Sequence, residues 1–364
     1  MNPAPAQAAP RRCRRLFLLA LAALAAGAGG LAAADWQRVR HLALPTLADP
    51  SLASAATILP VEPDSAAALE EVTRLPGRVS ALLLSGGTLW AAGFDTGVFR
   101  LEQRGAGLAA VAVLGVAGRE RFVNALAERD GRLFAATYGG ILELDAGGRI
   151  ARRHLPRIAS EALLATDEGL LAGTAEGLFL LRAESFEKVP LPEPLGATRV
   201  TALSAAGGRL WLGTVSGVRS IAWSAAGGAS DPRWHPLVFG EQAARSNVVL
   251  ALVPWGDGVL AGTDDAGIVE VGLERVRAFE SAEPRANEIN PGAAATAGGR
   301  ALFGTQGGGL VAVGKRGDGL GFSQPRATET RRISALLATP EGTWLGGERS
   351  EERRVGKECA TLCR

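Results

Sequence analysis

The chain has 364 residues, with 39 Lys plus Arg against 37 Asp plus Glu, 48 Gly, 3 His, 3 Cys and 1 Met. A hydrophobic share of 47% excludes a disordered chain, and the glycines follow no three-residue collagen period. Four Arg lie in residues 1–34, while residues 349–364 add five positive and three negative charges, so residues 35–348 hold 30 positive against 34 negative, a net −4. That balance argues against a nucleic-acid partner.

The chain opens on Arg11, Arg12, Arg14 and Arg15, an apolar run from Leu16, and then Ala32-Ala33-Ala34. Basic, apolar and small-residue regions in that order predict an export signal over 1–34, cut before Asp35. Arg14-Arg15-Leu16-Phe17-Leu18 also resembles a twin-arginine signal. The alternatives are an ordinary secretory signal or an uncleaved anchor, the latter making the N-terminal segment the one membrane contact. The location implied is periplasmic or extracellular.

Residues 35–77 precede the repeats and are expected to supply a closing strand, from 39–44 or from 57–61. From residue 78 to 348 the chain repeats itself. An Ala in each apolar run is followed eleven positions later by a small residue: Ala81/Ala92, Ala125/Ala136, Ala162/Gly173, Ala202/Gly213, Ala251/Gly262, Ala293/Gly304 and Ala335/Gly346. A hairpin turn signal sits inside each pair, such as Gly86-Gly87, Asp130-Gly131, Glu168-Gly169 or Glu341-Gly342. Successive second members average about 42 residues apart, with room for four strands per unit, which is the period of propeller blades. A β-solenoid, the competing architecture, has shorter coils and no need of hairpins. The fold class is therefore all-β, a β-propeller with seven visible blades of four antiparallel strands, the last truncated. That last blade is expected to lack its third strand and to be completed from 39–44 or 57–61.

Leu210-Trp211-Leu212-Gly213-Thr214-Val215-Ser216-Gly217-Val218 resembles the repeat of the two-component-regulator propeller family, and Leu170-Leu171-Ala172-Gly173-Thr174-Ala175-Glu176-Gly177-Leu178 is a second copy. The resemblance covers residues 79–348, with Ala136-Thr137, Pro291-Gly292 and Gly346-Gly347 as departures from the pattern. It implies an extracytoplasmic sensor module, often for carbohydrates, of the kind found in hybrid kinases. Residues 349–359, Arg-Ser-Glu-Glu-Arg-Arg-Val-Gly-Lys-Glu-Cys, resemble instead the translation of a short-read sequencing adapter, so 349–364 is read as a non-native tail.

Cys13 lies in the signal and Cys359 and Cys363 in the tail, which leaves no thiol in 35–348. His41, His154 and His235 stand apart, so no metal site is predicted and each reads as a satisfied or solvent-facing histidine. The run Gly309 to Lys315 has phosphate-loop spacing, but Arg316 follows where Ser or Thr belongs. No cofactor and no catalytic residue is predicted. The expected function is ligand binding or sensing, with a small-molecule or oligosaccharide ligand. An envelope scaffold with a protein partner is the alternative, then a propeller lyase or hydrolase.

Side chains before each first strand and in each second turn should face the ligand. Three residues before each repeat Ala lie Arg78, Phe122, Ala159, Arg199, Val248, Asn290 and Arg332; the three arginines are taken as ligand-facing, with Phe94, Asp95, Tyr138, Asp264 and Gln306 beside them. Guanidinium groups and aromatic faces suit an anionic sugar. The bland alternative is that these arginines pair with carboxylates between blades.

Overall fold

The computed structural model describes residues 57–59, 61–64, 69–104, 107–114, 116–192, 198–237, 248–317, 319–325, 328, 331–347 and 351–355, with side chains from 73 to 347. The signal region, residues 39–44, His41 and all three cysteines lie outside them.

In chain order β1 is Thr57–Leu59, β2 Val61–Asp64 and β3 Leu69–Arg74. Blade one is β4 Val79–Ser85, β5 Thr88–Gly93, β6 Gly97–Arg104 and β7 Gly107–Leu114. Blade two is β8 Val123–Arg129, β9 Arg132–Thr137, β10 Gly140–Leu144 and β11 Ile150–His154. Blade three is β12 Ser160–Thr166, β13 Gly169–Thr174, β14 Gly177–Arg182 and β15 Ser185–Lys188. Blade four is β16 Val200–Ala206, β17 Arg209–Thr214, β18 Gly217–Ser224 and β19 Gly228–His235. Blade five is β20 Val249–Trp255, β21 Gly258–Thr263, β22 Ile268–Val271 and β23 Val276–Ser281. Blade six is β24 Ile289–Ala297, β25 Arg300–Thr305, β26 Leu310–Arg316 and β27 Gly319–Pro325. The seventh sheet begins with β28 Ile333–Thr339 and β29 Gly342–Gly347, and β30 is Glu351–Val355.

Six blades are contiguous antiparallel sheets and the seventh is composite, with strand order β28-β29-β30-β3. Each first strand contacts the first strand of the next blade, from β4 round to β28 and back to β4. The ring is closed, and a hydrogen bond from Ser334 Oγ to the Val79 carbonyl (2.5 Å) joins its ends. The chain forms a β-propeller.

Closure differs from the expectation in two respects. The closing strand is β3, not 57–61, and it pairs antiparallel with β30. The third position expected to be vacant is filled by β30, which pairs with β29. Residues 57–61 go elsewhere: β1 adds in parallel to β23 of blade five, and β2 to β27 of blade six. Chain from the N-terminal side thus covers two open sheet edges before completing a third.

Within each blade the offset of eleven is the hairpin register itself. Ala81 faces Ala92, Ala125 faces Ala136, Ala162 faces Gly173 and Ala202 faces Gly213. The turns are less uniform than the sequence suggests. Asp130-Gly131 has positive φ at both positions, as a type I′ hairpin needs. In blades three, five and seven the turn residues are Asp167-Glu168, Gly256-Asp257 and Pro340-Glu341, one place earlier than the Glu168-Gly169, Asp257-Gly258 and Glu341-Gly342 read from the sequence.

The core lies between blades. The second strands are buried along their length, and Trp211, Phe134 and Phe303 have no exposed surface. Trp211 packs on Val249, Val259 and Ala261 of blade five, while Leu210 and Leu212 face Leu171 and Leu178 of blade three. This sandwiching explains strands apolar on both faces. It also explains the recurring small residue: a Cβ on Gly213 would sit 2.8 Å from Val249 Cγ1 and 2.9 Å from Ala202 Cβ. The crowding comes from the next blade's first strand, not only from convergence on the channel.

Both described histidines are buried and hydrogen-bonded. His154 Nε2 donates to Glu143 Oε2 at 2.8 Å, and Arg132 reaches the other carboxylate oxygen at 3.2 Å. Burial raises the Glu143 carboxyl, but the His154 hydrogen bond and the Arg132 charge together hold it below its ordinary value. His235 lies 3.1 Å from Ser220 Oγ and beside Trp211, and burial with the Arg209 and Arg233 charges lowers its pKa to about 4.

Candidate functional site

Two features of the repeat direct side chains toward the ring's axis and one face. The first is a β-bulge in every first strand, where the register shifts between Val79 and Ala81, Val123 and Ala125, and so on round the ring. A bulge gives one strand an extra residue and re-aims its side chain. The bulged residues are Ser80, Asn124, Glu161, Thr201, Leu250 and Ser334, and in blade six three residues, Asn290-Pro291-Gly292, take the place of one. Most of the polar ones tie blades together. Asn124 donates to the Ser160 carbonyl (2.8 Å), Thr201 to that of Val249 (2.6 Å) and Asn290 to that of Ile333 (2.7 Å).

A central cavity of about 220 Å³ runs past this belt and a row of leucines that includes Leu82, Leu163 and Leu252. Its one carboxylate is Glu161, side chain 9% exposed, held by Arg199 from blade four at 2.6 and 2.7 Å. Burial pushes the Glu161 carboxyl up, and the Arg199 charge and hydrogen bond offset this only in part.

The second feature is the upper face, where each first strand begins and each second strand turns into the third. Backbone bonds join the two: Phe94 N to Arg78 O (2.8 Å), Tyr138 N to Phe122 O (3.2 Å), Asp264 N to Val248 O (3.1 Å) and Gln306 N to Glu288 O (2.8 Å). The last of these places Glu288, not Asn290, at blade six's version of the recurring position. The three-residue bulge accounts for that slip.

The predicted residues divide into groups. Arg78, Phe94 and Tyr138 come together. The Arg78 guanidinium lies 4.2 Å from the Phe94 ring centroid, and Phe94 lies 5.9 Å from Tyr138. Phe122, in the row read from the sequence but not among the predicted ligand residues, completes the cluster at 5.4 Å from Phe94 and 5.9 Å from Tyr138. Arg121 caps Phe122 at 4.7 Å. All three rings are half-buried, and Asp95 beside them is exposed. Arg199 belongs to the Glu161 ion pair instead, as the bland alternative has it. Arg332 donates Nε to the Gln306 carbonyl (3.0 Å) at the boundary of blades six and seven, and Asp264 is half-buried in the turn of blade five. The phosphate-like run leads into β26, a sheet strand followed by strand β27.

The cluster on blades one and two therefore offers aromatic faces with cations at both sides, which suits a planar or pyranose ring carrying negative charge. Phe122 carried a signal in the sequence: an aromatic at the repeat position where other blades have Arg. Arg121 carried none, because the short 3-10 turn Gly118–Arg121 that places it lies outside the repeat.

No protein-family model matches the chain, and no curated protein matches it in sequence. Among solved structures it is similar to the extracellular domain of a putative hybrid two-component system from B. thetaiotaomicron, at 17% identity and TM-score 0.60 over 79% of this chain and 39% of that one. It is similar also to virginiamycin B lyase from Staphylococcus aureus (12%, TM-score 0.60, 80% and 98%) and to the WD40 propeller domain of Doa1 (12%, TM-score 0.59, 81% and 98%). The chain spans about two-fifths of the length of the two-component sensor domain. These likenesses establish the propeller class. No helix among the described residues is long and apolar enough to cross a membrane.

Proposed function

We propose that this chain is an exported ligand-binding propeller of the two-component-regulator type, a sensor module that takes an acidic carbohydrate on its upper face. The observation that carries this is the Arg78, Phe94, Phe122 and Tyr138 cluster, assembled from two blades at the upper face. The export signal, the repeat resemblance and the likeness to an extracellular two-component domain support the setting. Binding, not turnover, is the activity assigned.

Calorimetric titration of the purified protein with panels of acidic and neutral oligosaccharides tests it. Acidic sugars should bind, and Arg78→Ala and Phe122→Ala should each weaken them about tenfold or more, since one charge-assisted or stacking contact is worth roughly 1–3 kcal/mol. A sugar whose affinity survives both substitutions would remove this site, and conversion of any sugar to product would replace binding with catalysis.

A further inference from the structure

Blade four carries a buried cation that neither the repeat nor the upper-face cluster uses. Arg219, on β18, stands opposite Leu212 on β17 and opposite Trp234 on β19. Side chains alternate along a strand, so Arg219 shares the face of Leu212 and Ile221, which packs on Leu171, Leu178 and Val189 of blade three. It is 9% exposed. One terminal nitrogen reaches Ser216 Oγ at 3.3 Å, the guanidinium lies 5.3 Å from the Trp234 ring centroid, and Nε has no hydrogen-bond partner.

Other buried charges among the described residues have partners. Glu143 has His154 and Arg132, Arg209 has Asp231 at 2.7 Å, and Glu270 has Arg275 and Arg277. Among the described residues only a hydroxyl and an indole are in reach of Arg219. A desolvated guanidinium without an anion is unfavourable and calls for one. Burial alone, with no carboxylate acting against it, lowers the Arg219 pKa. Trp234 is 41% exposed, and its ring is fixed by Nε1 donating to the Ser216 carbonyl at 2.9 Å. One side of that indole meets Arg219 and the exposed remainder meets solvent. Ser216 lies in the upper turn of blade four, so the pair sits on the ligand face.

We propose that Arg219 and Trp234 form an anion subsite at the upper rim of blades three and four, which takes the carboxylate of a uronic acid on the guanidinium while the sugar ring lies against the indole. The ligand class matches that of the upper-face cluster, but the residues are different and the two stand or fall separately.

Thermal unfolding of the full protein with sodium glucuronate, and with methyl glucoside as the neutral control, tests the subsite. Glucuronate should raise the Tm of wild type and, by the part that Arg219 supplies, of Arg78→Ala, and methyl glucoside should raise neither. Arg219→Gln should lose that part of the shift, affinity at this subsite falling about tenfold or more. Trp234→Ala should retain a smaller shift. Without ligand, Arg219→Gln should unfold no lower than wild type, since it removes an unanswered charge and keeps the side chain's bulk. A glucuronate shift undiminished in Arg219→Gln overturns the subsite, as does a wild type that does not respond. A shift lost in Arg78→Ala and kept in Arg219→Gln moves the sugar to the cluster and leaves the proposed function intact. Sodium sulfate shifting the wild type as much as glucuronate overturns the part assigned to Trp234.

Discussion

The two ends of each blade solve the same problem, reversing a strand, by different chemistry. At the lower end the turn is two residues long, and in blades one, two, four and six both take positive φ, which limits them to Gly or Asp. At the upper end, in blades two to six, a buried threonine closes the turn from inside. Thr137, Thr174, Thr214, Thr263 and Thr305 are fully buried, and each donates its hydroxyl to a glycine carbonyl three or four residues on at 2.7–2.9 Å. Each also accepts an amide from within the same turn. The side chains between are not needed to close the turn. They include Tyr138, Glu176, Ser216, Asp264 and Gln306, one from each blade and all different. A propeller can vary its upper face because the threonine beneath does not vary. The lower face has no such licence.

Breaking a lower turn should have the largest effect. Gly207 has φ +56° and a Cβ there would lie 2.3 Å from the Asp257 carbonyl of blade five, whereas Gly208 has φ +69° and open space. Gly207→Ala should therefore cost about 2–5 kcal/mol, from left-handed strain and overpacking together. Gly208→Ala should cost only the strain, about 1–2 kcal/mol. Urea unfolding of the two variants checks this, and equal losses would mean that contact between blades does not limit the lower face.

The next effect is one of pH, beneath the upper end of blade four. His235 has a pKa near 4 when folded against an ordinary 6.5, so the unfolded chain binds its proton first. Stability contributed by neutral His235 is complete above pH 6.5 and is lost as pH falls from there through 4. The loss should approach roughly 3 kcal/mol. His235→Gln should flatten the profile over that window, and an unchanged slope would assign the acid sensitivity elsewhere.

Smaller again is the staple. Thr214→Val removes two hydrogen bonds but keeps the shape, and should cost about 1–3 kcal/mol because the Gly217 carbonyl and the Ser216 amide lose a buried partner. Glu176→Gln, in an upper turn whose staple is intact, should stay within about 0.5 kcal/mol of wild type.

The threonines show how far sequence could reach. The Gly-Thr of the repeat and the offset of eleven were legible because both are local: one is a turn, the other the register of a hairpin whose loop length fixes it. The blade count and the upper-face position of Arg78, Phe94 and Tyr138 followed from that register. Edges were not legible. β1 and β2 are three and four residues long and pair in parallel with strands more than 200 residues away, so no period announces them. The slip from Glu288 to Asn290 came from a bulge three residues long where the other blades have one, which a count of residues cannot see. Arg199 could be placed in its row, but its partner Glu161 belongs to the previous blade. Arg219 had no signal at all. Its meaning lies in having no counter-charge among the described residues, which only packing reveals.

The smallest stability effect is expected where the functional effect is largest. Arg78 is half-buried at the mouth of the upper face, where its guanidinium lies 4.2 Å from the Phe94 ring centroid. A cation over an aromatic face at such a site is worth about 0.5–1 kcal/mol. Phe94 keeps Phe122 and Tyr138 as neighbours when the guanidinium is gone, so the aromatic cluster survives. Arg78→Ala should then shift the urea midpoint slightly while removing most acidic-sugar affinity. The single tyrosine of the chain, Tyr138, reports on the cluster from within it. Its ring signals in a proton spectrum should move on addition of an acidic oligosaccharide to wild type, and stay fixed in Arg78→Ala. An Arg78→Ala protein that loses several kcal/mol of stability would show that this arginine holds the blades together, and that the upper face is no freer than the lower.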